Sequence, residues 1–245
     1  MKRFFTSLIL TLSLFSIATA HPFKSEKELY DFYAEIDKKI FAEKNKPIIR
    51  KKYPRKLTDK ELEQEQIPFS LKRYTVDEIV GNNKLVYNAF NYQLMSISQI
   101  NENNKEEGVI RTFDEDENLI SIAYIENSKG VMGIYREYYP WGVLKNETPY
   151  YASEINGKLK NYYPDGLLKE EYTYHNNKKE GLVIMYYENG QKFAVENYKN
   201  DLKNGDYYMY YENGNLGMKA FFVNGKREGT IEFYEEDGKK IEKNK

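Results

Sequence analysis

Apolar positions along this chain follow three rhythms, and each predicts a different kind of segment. From Phe4 to Ala18 the residues are apolar or small, with no charge among them. Further on, Leu29, Tyr33, Ile36 and Ile40 recur with charges between them, the spacing of one helix face. From Gly108 onward, short alternating apolar and polar runs are broken by glycine, as expected of strands joined by tight turns.

The third rhythm is also a repeat. Opening glycines stand at Gly108, Gly133, Gly157, Gly181, Gly205 and Gly229, in steps of 25, 24, 24, 24 and 24 residues. Nine residues after each comes a second glycine (Gly142, Gly166, Gly190, Gly214 and Gly238), with Glu117 the exception. Five residues after each opening glycine lies an aromatic: Phe113, Tyr138, Tyr162, Tyr186, Tyr210 and Tyr234. Two residues after it the side chain is apolar or aromatic: Ile110, Tyr135, Leu159, Val183, Tyr207 and Ile231. One copy therefore predicts a hairpin, with its glycines marking turns and a return strand ending at Tyr150, Tyr174, Tyr198 or Phe222. An isolated hairpin is marginal, so each copy must pair with its neighbours. At two strands per copy, six copies make a sheet about 55 Å long.

Within the first strand, Val183, Met185 and Tyr187 alternate with Leu182, Ile184 and Tyr186, and Tyr207, Met209 and Tyr211 with Asp206, Tyr208 and Tyr210. Both sets mix aromatic and polar groups, which predicts a twisted single sheet with tyrosines stacked in columns from copy to copy. The expected fold class is mainly β: an elongated single-layer antiparallel sheet of repeated hairpins, preceded by a short α-helical N-terminal segment.

The stretches GLVIMYYENGQKFAVENYKND and GDYYMYYENGNLGMKAFFVNGKRE give this unit most clearly, and it resembles the MORN repeat in the variant form common in bacterial proteins. The resemblance covers about residues 108–245, and KLVYNAFNYQ from Lys84 is a candidate degenerate copy. It implies an elongated hairpin sheet that binds proteins or lipids and carries no catalysis of its own. The family often has Trp early in the first strand, whereas the single Trp here, Trp141, lies in a turn. Bacterial members are often labelled antitoxin-like, a role in conflict with an exported chain.

Export is the reading of the first rhythm. Lys2 and Arg3 precede the apolar run and Ala18-Thr19-Ala20 follows it, the layout of a signal peptide spanning residues 1–20 and cleaved after Ala20. A membrane anchor is the competing reading, but the run is shorter than the roughly 20 residues a spanning helix needs. No cysteine is present, so a lipoprotein anchor, disulfides, thiol catalysis and Cys-ligated metals are all excluded.

Residues 21–66 form the expected helical segment with a basic linker. Ser25 and Glu28 have capping-box spacing, and Thr58 and Glu61 repeat it before a short helix to about Gln66. The helix stripe is expected to pack on the rest of the protein. KPIIRKKYPRK (46–56) reads as a solvated connector or as a contact for acidic surface or lipid headgroups. Residues 67–107 read as a divergent β region.

With 37 basic and 38 acidic residues the charge is balanced, so no nucleic-acid partner is expected. His21 and His175 are the only histidines and neither has a companion at ligand spacing, so no metal or cofactor is expected. The turn carboxylates Glu188, Glu212 and Glu236 repeat with the fold, and no catalytic motif or small-molecule substrate site stands out. The candidate partner-binding residues are two tyrosine columns, Tyr138, Tyr162, Tyr186 and Tyr210, and Tyr139, Tyr163, Tyr187 and Tyr211, expected on opposite faces. The function expected is that of an exported, non-enzymatic protein-binding or scaffold module at the cell envelope or outside the cell. The alternative is a peripheral module on anionic lipid, using the basic linker with Lys178, Lys179, Lys203, Lys226 and Arg227. Glu235, Glu236, Lys239, Lys240, Glu242 and Lys243 are expected to guard the last sheet edge.

Overall fold

The computed structural model describes residues 23–51, 55–58, 60–61, 75–126 and 129–242. The signal-peptide reading of residues 1–20, most of the second short helix and residues 67–74 lie outside them. One helix, α1 (Glu26–Lys44), precedes an open sheet in which every pairing is antiparallel. Ser25 caps α1 by accepting from the Glu28 amide at 3.2 Å, and the buried residues are the predicted stripe Leu29, Tyr33, Ile36 and Ile40. Thr58 and Glu61 also form their capping box, with the Thr58 amide donating to Glu61 Oε2 at 2.9 Å.

The sheet has 15 strands: β1 (Thr75–Val80), β2 (Asn83–Asn88), β3 (Leu94–Ile100), β4 (Glu106–Phe113), β5 (Leu119–Glu126), β6 (Gly130–Tyr138), β7 (Leu144–Tyr151), β8 (Glu154–Ile155), β9 (Gly157–Tyr162), β10 (Leu168–His175), β11 (Lys178–Tyr186), β12 (Lys192–Lys199), β13 (Leu202–Tyr210), β14 (Leu216–Val223) and β15 (Lys226–Phe233). Strand order follows chain order, apart from β8, which pairs only with β7. Each neighbour in sequence is thus a neighbour in space, as the repeat requires.

The two glycine columns do different things. The second column sits in the turns, where Gly190 donates to the Tyr187 carbonyl at 3.0 Å with φ 81°. The opening glycines lie inside strands, at register shifts such as that between Glu196 and Tyr198 opposite Gly205, whose φ is 123°. They are bulge glycines, and bulges increase twist. Glu117, where the turn glycine is missing, takes the left-handed conformation itself (φ 63°). Its side chain pairs with Arg50 and accepts from the Leu94 amide at 3.1 Å, contacts a glycine could not make.

The hairpin of β2 and β3 opens at Asn82, two residues before Lys84. The Ile100 amide donates to the Asn82 carbonyl at 2.9 Å, and Tyr87 pairs with Leu94 at the usual shift. Its turn, closed by Asn88 and Gln93, is one residue longer than the turn closed by Tyr139 and Val143. The aromatic column therefore continues upstream to Tyr87.

A single sheet has two faces, and the N-terminal segment covers part of one. α1 crosses β4, β5 and β6, seating Ile36 and Ile40 on Val109, Ile122, Met132 and Tyr138. Residues after it continue over β2 and β3, where Ile48 packs on Leu85, Tyr87, Leu94 and Ile97. Arg136, 8 % exposed at its side chain, is fixed to this face by both carboxylate oxygens of Asp37 at 2.8 Å and by Glu147 at 3.0 Å. The basic stretch is tied to the sheet as well: Arg50 pairs with Glu117, the Lys46 carbonyl accepts from Arg111 at 2.9 Å, and Lys56 donates to the Glu115 carbonyl at 2.6 Å.

Candidate functional site

Cross-strand partners share a face, which allows the covered face to be followed past the helix. The pairs Glu147–Lys160, Lys160–Glu171, Glu171–Ile184, Ile184–Val195, Val195–Tyr208, Tyr208–Lys219 and Lys219–Glu232 run along it from β7 to β15. The first tyrosine column lies on this face throughout. Tyr138 is buried beneath α1, with the Lys44 ammonium 4.3 Å above its ring. Tyr162 donates to Glu147 Oε2 at 2.8 Å, and burial followed by this hydrogen bond raises its phenol pKa well above the ordinary value. Tyr186 and Tyr210 lie beyond the strands that α1 crosses, half-buried on the face that also carries Leu182, Ile184 and Tyr208.

The second column lies past the strand ends, along the rim made by the turns. Tyr139, Tyr163, Tyr187 and Tyr211 donate their hydroxyls to the carbonyls of Tyr162, Tyr186, Tyr210 and Tyr234 at 3.0, 2.8, 2.8 and 2.8 Å. Each acceptor is the first-column tyrosine of the next copy. Each ring lies on its own hairpin: Tyr139 stacks on Trp141 at 4.9 Å, Tyr187 meets Phe193 edge-on at 5.1 Å, and Gly217 leaves room beneath Tyr211. The link between copies is thus a hydroxyl-to-carbonyl ladder, whereas the described ring contacts within the repeat array stay inside one copy.

The far face is self-covering. Val183, Ala194, Glu196 and Ala220 are buried there, with no second layer among the described residues. Glu196 accepts from Tyr198 and from Lys203, both at 2.8 Å, and Lys203 also lies 4.7 Å over the Tyr207 ring. Lys179 lies over Tyr172 and Tyr198 at 4.8 and 5.2 Å. Two of the link lysines are therefore held on aromatic rings, while Lys178, Lys226 and Arg227 are exposed. His175 lies at the end of β10. Among the described residues no cluster of His, Asp and Glu is arranged to hold a metal ion.

Part of this hairpin array matches a known repeat. Residues 155–176, 179–200 and 203–224 match the family model described as MORN repeat variant. Residues 155–224 are MORN repeats. Each match begins two residues before an opening glycine and ends at the link, Asn176, Asn200 or Asn224. The hairpins opened by Gly108 and Gly133 have the same construction, so the hairpin pattern extends further along the chain than the family match. No curated protein matches the chain. Similar solved structures include the crystal structure of TarM, at 10% identity over 81% of this chain and 26% of that one, with a TM-score of 0.19. A second is an S. aureus TarM mutant in complex with Fondaparinux, alpha-GlcNAc-glycerol and UDP, at 10% identity over 81% and 27%, with a TM-score of 0.17. The chain spans about a quarter of the length of these proteins, with coverages of 26% and 27%.

Proposed function

We propose that this chain is an exported docking module, which holds a protein partner on the part of the covered face that α1 leaves open. The observation that carries the reading is the contrast between the columns. The rim tyrosines use their hydroxyls to join copies, whereas Tyr186 and Tyr210 share a face with Leu182 and Phe221, 46% and 45% exposed, beyond the strands that α1 crosses. Aromatic anchors on a rigid sheet lose little entropy on binding. Export rests on the pattern of residues 1–20.

A photo-crosslinking residue at Tyr186 or Tyr210 tests the reading in the producing cell. An adduct from both positions, absent when the same residue replaces far-face Met185, supports it. Equal labelling from both faces, or none from Tyr186 and Tyr210, removes it. The anionic-lipid alternative is less favoured, since Arg50, Lys56, Lys179 and Lys203 are engaged within the chain. Sedimentation with anionic vesicles at low salt would revive it.

A further inference from the structure

The geometry points to an amphipathic α-helix as the partner element, laid in line with α1 over β10–β15; this inference rests on the docking reading above and specifies its ligand. The argument starts from how α1 itself is held. An opening glycine has no side chain, so each bulge leaves a notch on the covered face. At Gly133 the notch is filled by Ile36, whose Cγ2 lies 2.5 Å from where a Cβ would stand. At Gly157 it is filled by Tyr30, whose hydroxyl lies 3.2 Å from that point and accepts from the Lys158 amide at 3.0 Å. Tyr30 and Ile36 are six residues apart, about 9 Å along a helix, which is about the advance of one two-stranded copy. The helix and the sheet share a period.

That period continues where α1 stops. The next notch, at Gly181, meets only Thr173, at 3.8 Å; the one at Gly205 is filled by Asn197 of the sheet itself, at 3.1 Å, and the one at Gly229 meets nothing within 4 Å. Around these notches Leu182, Ile184, Val195 and Tyr208 share the face with Glu171 and Lys219. The central position held by Arg136, which requires Asp37 from the helix, is Lys160 one copy on, Ile184 two copies on and Tyr208 three copies on. Six strands from β10 to β15 leave a track of about 24 Å, enough for about 16 helical residues. The fitting partner is therefore a helix of about four turns with large apolar residues six to seven apart. It carries an apolar residue where α1 has Asp37. Lysines on its flank can lie over Tyr186 and Tyr210, as Lys44 lies over Tyr138.

The probe is a fluorescent peptide of Lys24–Asn45 carrying Asp37→Leu, titrated against the full chain by anisotropy. Saturable binding is expected, tighter than that of the unsubstituted peptide. Leu182→Asp and Phe221→Asp in the full chain should each weaken it about tenfold or more, with the unfolding midpoint unchanged. Binding by neither peptide, or binding indifferent to both substitutions, overturns the inference. A dimer mass in light scattering that Leu182→Asp abolishes also overturns it, because the occupant is then a second copy. If the peptide fails while Tyr186 still crosslinks a partner, the docking reading stands and only the helical partner falls. If both fail, both fall.

Discussion

Tyr187 donates its hydroxyl to the Tyr210 carbonyl at 2.8 Å, and the two belong to neighbouring repeats. Tyr163 and Tyr211 repeat the contact on either side. Removing the hydroxyl leaves the ring on Phe193 intact, so Tyr187→Phe isolates the bond. The expected loss is about 0.5–1.5 kcal/mol, read from the denaturant midpoint. An unchanged midpoint would show that water replaces the hydroxyl at the rim.

Asp37 is the ion-pair link between α1 and the buried Arg136. Asp37→Ala leaves the guanidinium with Glu147 alone, and removing one partner of a buried pair costs about 3 kcal/mol. Arg136→Met in the same chain should recover part of the loss, because the buried charge goes with it. A double-mutant cycle by chemical denaturation measures the coupling. Additive losses would mean that Asp37 and Arg136 act independently.

Gly133→Ala and Gly190→Ala separate crowding from backbone strain. Both glycines have positive φ, 79° and 81°, but a Cβ at Gly190 meets nothing within 4 Å whereas one at Gly133 strikes Ile36. Gly190→Ala should cost about 1–2 kcal/mol, and Gly133→Ala more. Adding Ile36→Ala to Gly133→Ala should lower the excess that remains over Ile36→Ala alone.

Alkaline pH acts through the tyrosines. Burial, then a hydrogen bond to a carboxylate, holds the phenols of Tyr162 and Tyr198 above the ordinary tyrosine value of about 10. The folded state then keeps protons that the unfolded state has lost, so this stability is complete below pH 10 and declines as pH rises above it. Tyrosinate absorbance should lag behind the ordinary titration and then rise together with unfolding followed by circular dichroism. Smooth titration at the ordinary value with the fold intact would contradict the burial of these phenols.

Much of the sheet was legible because a repeat averages its own noise. The column from Phe113 to Tyr234 needs one side chain per copy on one face, so its spacing survives in the chain. The α1 stripe was legible for the same reason at helical period. The copy sought near Lys84 opens at Asn82 because one added turn residue, and one more between Gln93 and Gly108, shift the count while the pairing absorbs them. The opening glycines were read as turns, since a bulge and a turn ask for the same positive φ. The two tyrosine columns could not be told apart in the sequence, because a hydroxyl that reaches a carbonyl in the next copy leaves no local mark.

The sequence by itself determined the unit, its period and the antiparallel order of hairpins, since these depend on contacts between residues near in the chain. Only the tertiary structure decided which strands of the covered face α1 occupies. That depends on where a 19-residue helix comes to rest, which is set by Asp37 meeting Arg136, 99 residues away, and by Ile36 and Tyr30 filling the notches of Gly133 and Gly157. Such distant contacts carry most of the positional information and leave no periodic trace in the chain.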